Sequence, residues 1–455
     1  MKKPGCLIGV FIVLILMSGI SNSGKCQNIN AIDPTIKEII SQISPEKIEH
    51  TVRTLVNFGT RHTLSDTLNL HSGIGAAQGW AFSELKTYSS KTGNRLIVMN
   101  DRFTVAADGD RVKRDHKVKN VIAILPGTDT SSHDLILVSG HLDSRASDVM
   151  NSIIDAPGAN DDASGSALVI ELARVLSGHF FPKTILFALV TGEEQGLYGA
   201  QHLAKRIESE KWNVIGMLNN DIVGNTLGLD NNLRDDKEVR VFSEPLPQNT
   251  DPATKIYRET GYENDGASRQ LSRYIKEIGE KYVDNFGVNL VYRRDRYLRG
   301  GDHTAFSRLG FSAVRFTEMN ENFNRQHQTI RKENGVDYGD LPDFVDYKYI
   351  SKVASINAAT IANLALAPSA PQFFTVDTKE LTNFTTLNWK KTRNSSETGY
   401  YVLIRTTTSP VWEKRIFVKE TSIKINYSKD NYLFGLQSTD SLGHTSIITC
   451  PLPAR

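Results

Sequence analysis

The chain has almost no cysteine to work with. Its three thiols are Cys6, Cys26 and Cys450; the first two fall in or beside an N-terminal targeting pattern, so no disulfide framework can staple the mature protein. Core burial must hold the fold instead. An excess of charge of one sign is missing too: 53 Lys and Arg face 51 Asp and Glu, a formal +2. Residues 1–26 hold Lys2, Lys3 and Lys25 and no acid, and their removal takes the formal charge to −1. That leaves no electrostatic footprint for nucleic acid. The one long apolar run, Leu7 to Met17, is too short for a comfortable membrane span. Internal repeats and low-complexity tracts are absent. With 39% hydrophobic and 23% charged residues, the remainder reads as an ordinary globular chain.

The N-terminus has the three parts of a signal peptide over residues 1–27: basic Lys2-Lys3, the apolar run, then the small and polar stretch Ser18 to Cys26. The expectation is an exported bacterial protein, periplasmic or secreted, with no stable membrane span in the mature chain. Lys25 stands where lipid attachment at Cys26 wants a small residue, so soluble export is preferred over an anchor.

The rest alternates strand-like and helix-like segments. Ile36 to Phe58 reads as two short helices broken at Ser44-Pro45. Asn120 to Leu125, Leu135 to Ser139, Lys183 to Val190, Asn213 to Leu218 and Ser312 to Phe316 read as strands, and the run 183–190 is continuously apolar from Ile185 on, as in a sheet covered on both faces. Ser164 to Leu176 is the clearest helix, with Ser164 as N-cap and Glu171 and Arg174 on the solvent face. Such alternation predicts an α/β fold, a mostly parallel mixed sheet sandwiched by helices. Thr317 to Asp346 is a long polar segment, and Tyr349 to Ala365 closes the unit as a helix. After the linker Ala367-Pro368-Ser369-Ala370-Pro371 the pattern changes to short alternating strands, which predict a C-terminal all-β sandwich over 372–455.

Polar clusters stand at the predicted strand ends, where open α/β sheets expose ligand sites: Ser139-Gly140-His141-Leu142-Asp143-Ser144, Gly158-Ala159-Asn160-Asp161-Asp162-Ala163-Ser164-Gly165, Thr191-Gly192-Glu193-Glu194 and Leu218-Asn219-Asn220-Asp221. His with Asp and Glu is a donor set suited to Zn²⁺. Two cations sharing a bridging carboxylate need one His and one further carboxylate each, plus a base near the bridging water. His141 and Asp221 can serve one ion, Glu194 and His327 the other, and Asp161 can reach both. Glu193 is left free, as a general base must be. Asp143 is expected to accept a hydrogen bond from the other nitrogen of His141, since alternate residues of a strand face the same way.

These segments resemble the zinc aminopeptidases of peptidase family 28 over roughly residues 35–366, within a peptidase domain expected over 28–366. Their pattern is a His-x-Asp strand end, a Gly-x-x-Asp-Asp-x-Ser-Gly loop, a Glu-Glu pair, a later strand-end Asp and a distal His. The resemblance implies two zinc ions per chain on His141, Asp161, Glu194, Asp221 and His327, with Asp161 bridging and Glu193 as base. It implies a cis peptide between Asp161 and Asp162, and peptide substrates with a free N-terminus. Gly301-Asp302-His303 is similar to the family's Ser-Asp-His segment; His303 could donate to the tetrahedral intermediate, or the pair could cap a helix. A single-zinc glutaminyl cyclase and a carboxypeptidase of the same fold are the alternatives, the latter needing a basic pocket such as Arg293, Arg294, Arg296 and Arg299 could supply. Trp389 and Tyr432, with the Asp440-Ser441-Leu442-Gly443 turn, resemble a fibronectin type III module.

Overall fold

The computed structural model describes residues 32–247, 251–391 and 396–454; the expected signal segment lies outside them. No helix among the described residues is long and apolar enough to cross a membrane. The chain begins with α1 (Pro34–Ser41), α2 (Pro45–Val56) and α3 (Gly73–Lys91) and then runs β1 (Ile97–Val105), β2 (His116–Leu125), β3 (Asp134–His141), α4 (Ala163–Leu176), β4 (Thr184–Val190), α5 (Tyr198–Ser209), β5 (Asn213–Asn220) and β6 (Glu238–Ser243). After these come α6 (Pro252–Glu259), α7 (Ala267–Tyr282), β7 (Gly287–Val291), α8 (His303–Ser307), β8 (Ala313–Thr317), the small hairpin of β9 (Arg331–Glu333) and β10 (Val336–Tyr338), and α9 (Tyr347–Leu366).

Eight strands make one sheet in the order β1-β2-β4-β3-β5-β8-β6-β7. Its centre, β4-β3-β5-β8, is parallel, and antiparallel pairs flank it. The side chains of β3 explain the layering: Ile136 and Val138 enter the larger core with α1, α2, α3, α4, α7 and α9, while Leu135 and Leu137 enter the smaller one with α5 and α8. Period-two alternation thus feeds two cores, each under its own helix layer. The predicted α/β architecture is the one found.

Two details differ from expectation. The N-cap of α4 is Asp162, whose side chain accepts from the Gly165 amide, and Ser164 sits inside the first turn. Glu171 is buried rather than solvent-facing; it accepts the Ser44 amide at 2.7 Å and pairs with Arg174, which docks α4 on the start of α2.

The C-terminal strands are β11 (Gln372–Asp377), β12 (Thr385–Lys390), β13 (Gly399–Thr406), β14 (Lys414–Val418), β15 (Ser422–Ile425), β16 (Tyr432–Thr439) and β17 (Leu452–Ala454). They form two sheets, β15-β12-β11-β17 and β14-β13-β16, which close on Leu387, Trp389, Tyr400, Val402, Phe434 and Leu436. This is the expected all-β sandwich. It is fastened to the rest by buried polar contacts: Arg405 and Arg273 both grip Asp265, and His444 reaches Asp33 at 2.8 Å. The segment between α9 and β11 is held as well, with Ala367, Pro368 and Pro371 buried and the Ser369 carbonyl accepting from Ser438 Oγ at 2.6 Å.

Candidate metal centre

The C-terminal ends of β3, β4 and β5 and the N-terminus of α4 meet at one point. Two glycines permit it: a Cβ on Gly140 would lie 2.6 Å from the Gly165 backbone, and one on Gly165 would lie 2.1 Å from the Asn220 carbonyl. The start of α4 is thereby wedged between β3 and β5. Asp162 locks the wedge, accepting the His141 amide at 2.9 Å, the Gly165 amide at 2.9 Å and the Ile222 amide at 3.3 Å. Ile222 has φ +62°, a strained value for a β-branched residue, and it directly follows Asp221.

His141 ends β3 with its ring fully buried. Its Nδ1 lies 2.9 Å from the Asp143 backbone carbonyl, which leaves Nε2 facing Asp161 Oδ1 at 3.2 Å and Asp221 Oδ1 at 3.9 Å. The Asp143 carboxylate therefore does something other than expected. It stands 3.7 Å from Nδ1 and instead accepts the backbone amides of Gly192 (2.9 Å), Glu193 (3.3 Å) and Glu194 (3.1 Å) and the Thr63 hydroxyl (2.7 Å). The strand ends at His141, so its alternation no longer governs residue 143. Asp143 orders the loop carrying the two glutamates.

The opposite side is built on His327. Its Nε2 faces Asp161 Oδ2 at 2.8 Å and Glu194 Oε1 at 2.9 Å. Asp161 thus turns one oxygen to each imidazole. Its peptide bond to Asp162 is cis, as the resemblance implied, and its amide is held by Asp340 Oδ2 at 2.8 Å. Glu193 groups with His141 and Asp221, and Glu194 with Asp161 and His327; within each group the donor atoms lie within 4.8 Å of one another. Arg315, fully buried, pairs with Asp221 at 2.9 Å and Asp295 at 2.7 Å. Arg145 donates to Glu194 Oε2 at 2.9 Å and touches His327 Nδ1 at 2.7 Å. A metal on His327 Nε2 needs a proton on Nδ1, so the guanidinium must turn away from that nitrogen when an ion binds.

The residues fit zinc on three counts. His141 Nε2, His327 Nε2 and Glu194 Oε1 are buried with no hydrogen-bond partner among the described residues. The nitrogen–oxygen separations of 2.8 to 3.9 Å bracket the roughly 3.3 Å edge of a tetrahedron with bonds of about 2 Å. Negative charge is also concentrated. Burial, then the neighbouring carboxylates, hold the Glu193 carboxyl well above its usual range. Burial alone would lower the imidazole of His327, yet Glu194 and Asp161 raise it to about 10. A cation placed there would relieve the same repulsion.

His303 is not brought to this cluster. Its ring is fully buried, with Nε2 on the Arg294 carbonyl at 2.9 Å and Nδ1 without a hydrogen-bond partner among the described residues. Its neighbour Asp302 is buried with both oxygens unpartnered among the described residues; burial, with the Asp221 and Asp143 charges, raises its carboxyl to about 7 despite His141. Sequence reasoning missed Arg145, Arg315 and Asp340, and took Asp302 only as the neighbour of His303 or as a helix cap, a bond its side chain does not make. Asp302 had a signal in its position beside His303, whereas Asp340 lies 179 positions from Asp161 and nothing local marks it.

A profile of peptidase family M28 matches residues 120–347. A Leptosphaeria maculans protein named "Probable zinc metalloprotease" is 41% identical over 420 residues, covering 92% of this chain and 97% of its own. One of the same name from Pyricularia oryzae is 42% identical over 430 residues, covering 92% and 85%. These relatives are fungal, where the sequence had suggested a bacterial enzyme. Among solved structures, the Legionella pneumophila LapA aminopeptidase aligns at TM-score 0.51 and 18% identity, covering 80% of each chain. An aminopeptidase from Aneurinibacillus sp. strain AM-1 aligns at 0.52 and 16%, covering 73% of this chain and 96% of its own. Both share the fold.

Proposed function

The chain belongs to peptidase family M28, and we propose that it is an exopeptidase with a co-catalytic pair of zinc ions, removing N-terminal residues from peptides. The observation that carries this is the position of Asp161, one carboxylate oxygen toward His141 Nε2 and the other toward His327 Nε2. His141 and Asp221 would hold one ion, Glu194 and His327 the other, and Asp161 would bridge them. Zinc bound there supplies Lewis acidity toward the scissile carbonyl and lowers the pKa of a coordinated water.

The chain does the rest. Glu193 takes a proton from the attacking water on its carboxylate and delivers it to the nitrogen of the leaving amine. Asp143 keeps Glu193 and Glu194 in register through their amides. Arg315 and Arg145 orient Asp221 and Glu194 and offset part of the carboxylate charge.

We read the peptidase unit as ending with α9, with the sandwich as its attached partner, and the pattern of residues 1–27 as an export signal. The test pairs metal content with specificity. Two equivalents of tightly held zinc, and cleavage of free but not N-terminally blocked peptides, are the expected results. One equivalent would favour the mononuclear cyclase alternative, and cleavage of blocked peptides from their C-terminal end the carboxypeptidase.

A further inference from the structure

A groove of about 960 Å³ is bounded by the 293–299 loop, residues 244–247 and the end of α8. Its charge is unbalanced. Asp295 is committed to Arg315 and Arg296, and Glu244 to Arg294. Arg293, Arg299 and Arg308 line the groove and are exposed, and none has a carboxylate within 4.0 Å among the described residues. Arg293 only stacks on Tyr297, at 4.1 Å. A single unpaired carboxylate, Glu208, lines the same wall.

The loop connects this wall to the chemistry. Two residues after Arg299, a Cβ on Gly301 would lie 3.4 Å from Asp221 Oδ2 and 3.2 Å from Arg315 Nη1, and Arg315 donates to the Gly300 carbonyl at 3.1 Å. A peptide whose first residue sits at the zinc centre must leave along one of the walls around it, and this wall presents three unpaired guanidiniums. Guanidinium pairs well with carboxylate, and several such groups on one wall act together. Resting on the peptidase reading above, we propose that Arg293, Arg299 and Arg308 select peptides bearing acidic residues downstream of the scissile bond.

The test compares kcat/KM for peptide pairs sharing an N-terminal residue, with Asp or Glu against Asn or Gln at the following positions. The wild type should favour the acidic member on the order of tenfold at low ionic strength, and the ratio should collapse toward one at about 0.5 M salt, where the Debye length is only a few ångströms. Combined Arg293→Gln, Arg299→Gln and Arg308→Gln substitution should bring the ratio near one at low salt. A wild-type ratio near one, or a preference that survives the triple substitution, overturns the proposal. Equilibrium binding of the same pairs, fluorescently labelled, to Glu193→Gln protein with and without the arginine substitutions reads the groove without turnover. If nothing is cleaved but acidic peptides still bind through these arginines, the peptidase reading fails and the groove's selectivity stands. If neither preference appears, the groove assignment fails by itself.

Discussion

Two buried clusters in this protein are made of the same parts. At the metal centre two imidazoles face carboxylates of Asp161, Glu194 and Asp221; at the seam with the sandwich a third, His444, lies between Asp33 and Asp440. The seam cluster is complete. His444 Nδ1 meets Asp440 Oδ2 at 2.7 Å and Nε2 meets Asp33 Oδ2 at 2.8 Å, and the other oxygens accept the amides of Thr35, Leu442 and His444. The other is not: among the described residues both Nε2 atoms and a glutamate oxygen lack hydrogen-bond partners. Residue type makes a histidine–carboxylate cluster a candidate ligand set, and hydrogen-bond satisfaction separates a structural cluster from a candidate metal site.

The sharpest way to break the comparison is to substitute within each cluster. Glu193→Gln should lower kcat by roughly 10²–10⁴-fold while zinc content by elemental analysis stays unchanged; retained turnover would remove Glu193 from its role. His444→Ala should leave zinc content alone and cost about 3 kcal/mol of stability in denaturant melts, because the buried Asp33 and the half-buried Asp440 lose their shared cation. A chelator should lower Tm by a similar increment in wild type and in His444→Ala, since the clusters share no residue. A non-additive result would couple the sandwich seam to the metal centre.

Smaller effects sharpen it further. Asp143→Asn presents two donors to a site holding three backbone amides, and should cost about 10–100-fold in activity or zinc affinity, read by kcat/KM and metal titration. Least is the pH dependence of the seam. Burial opposes the charged His444, but Asp440 and then Asp33 raise its pKa above the ordinary value. The stabilisation is therefore full below about pH 6.5 and lost as pH rises through the folded value, by at most about 1.4 kcal/mol per pH unit. Melts of wild type against His444→Gln should converge across that window, and a gap that widens with pH would contradict the assignment.

Much of the architecture was legible because the signals were local and periodic. The run 183–190, apolar from Ile185 on, became β4, Ser44-Pro45 separated α1 from α2, and the change of pattern after Pro371 marked the start of the sandwich. Where reading went astray, a distant partner had intervened. Glu171 looks solvent-facing by helical spacing, yet the Ser44 amide draws it into the interior. α6, β11 and the edge strand β17 are short, so they went unseen.

The order of candidate ligand types along the chain, and the strand ends and helix start that carry His141, Asp161 and Asp221, were set by sequence alone, because periodicity and glycine placement act over a few residues. Which atom faces which was decided only by the tertiary structure. Asp143 could be put beside the metal loop from its neighbours, but whether its carboxylate meets the imidazole of His141 or the amides of residues 192–194 depends on how β3 ends against β4. Arg315, Asp340 and the unpaired arginines of the groove are likewise defined by partners far away in the chain, since the electrostatic environment of a buried group is a sum over space rather than over sequence.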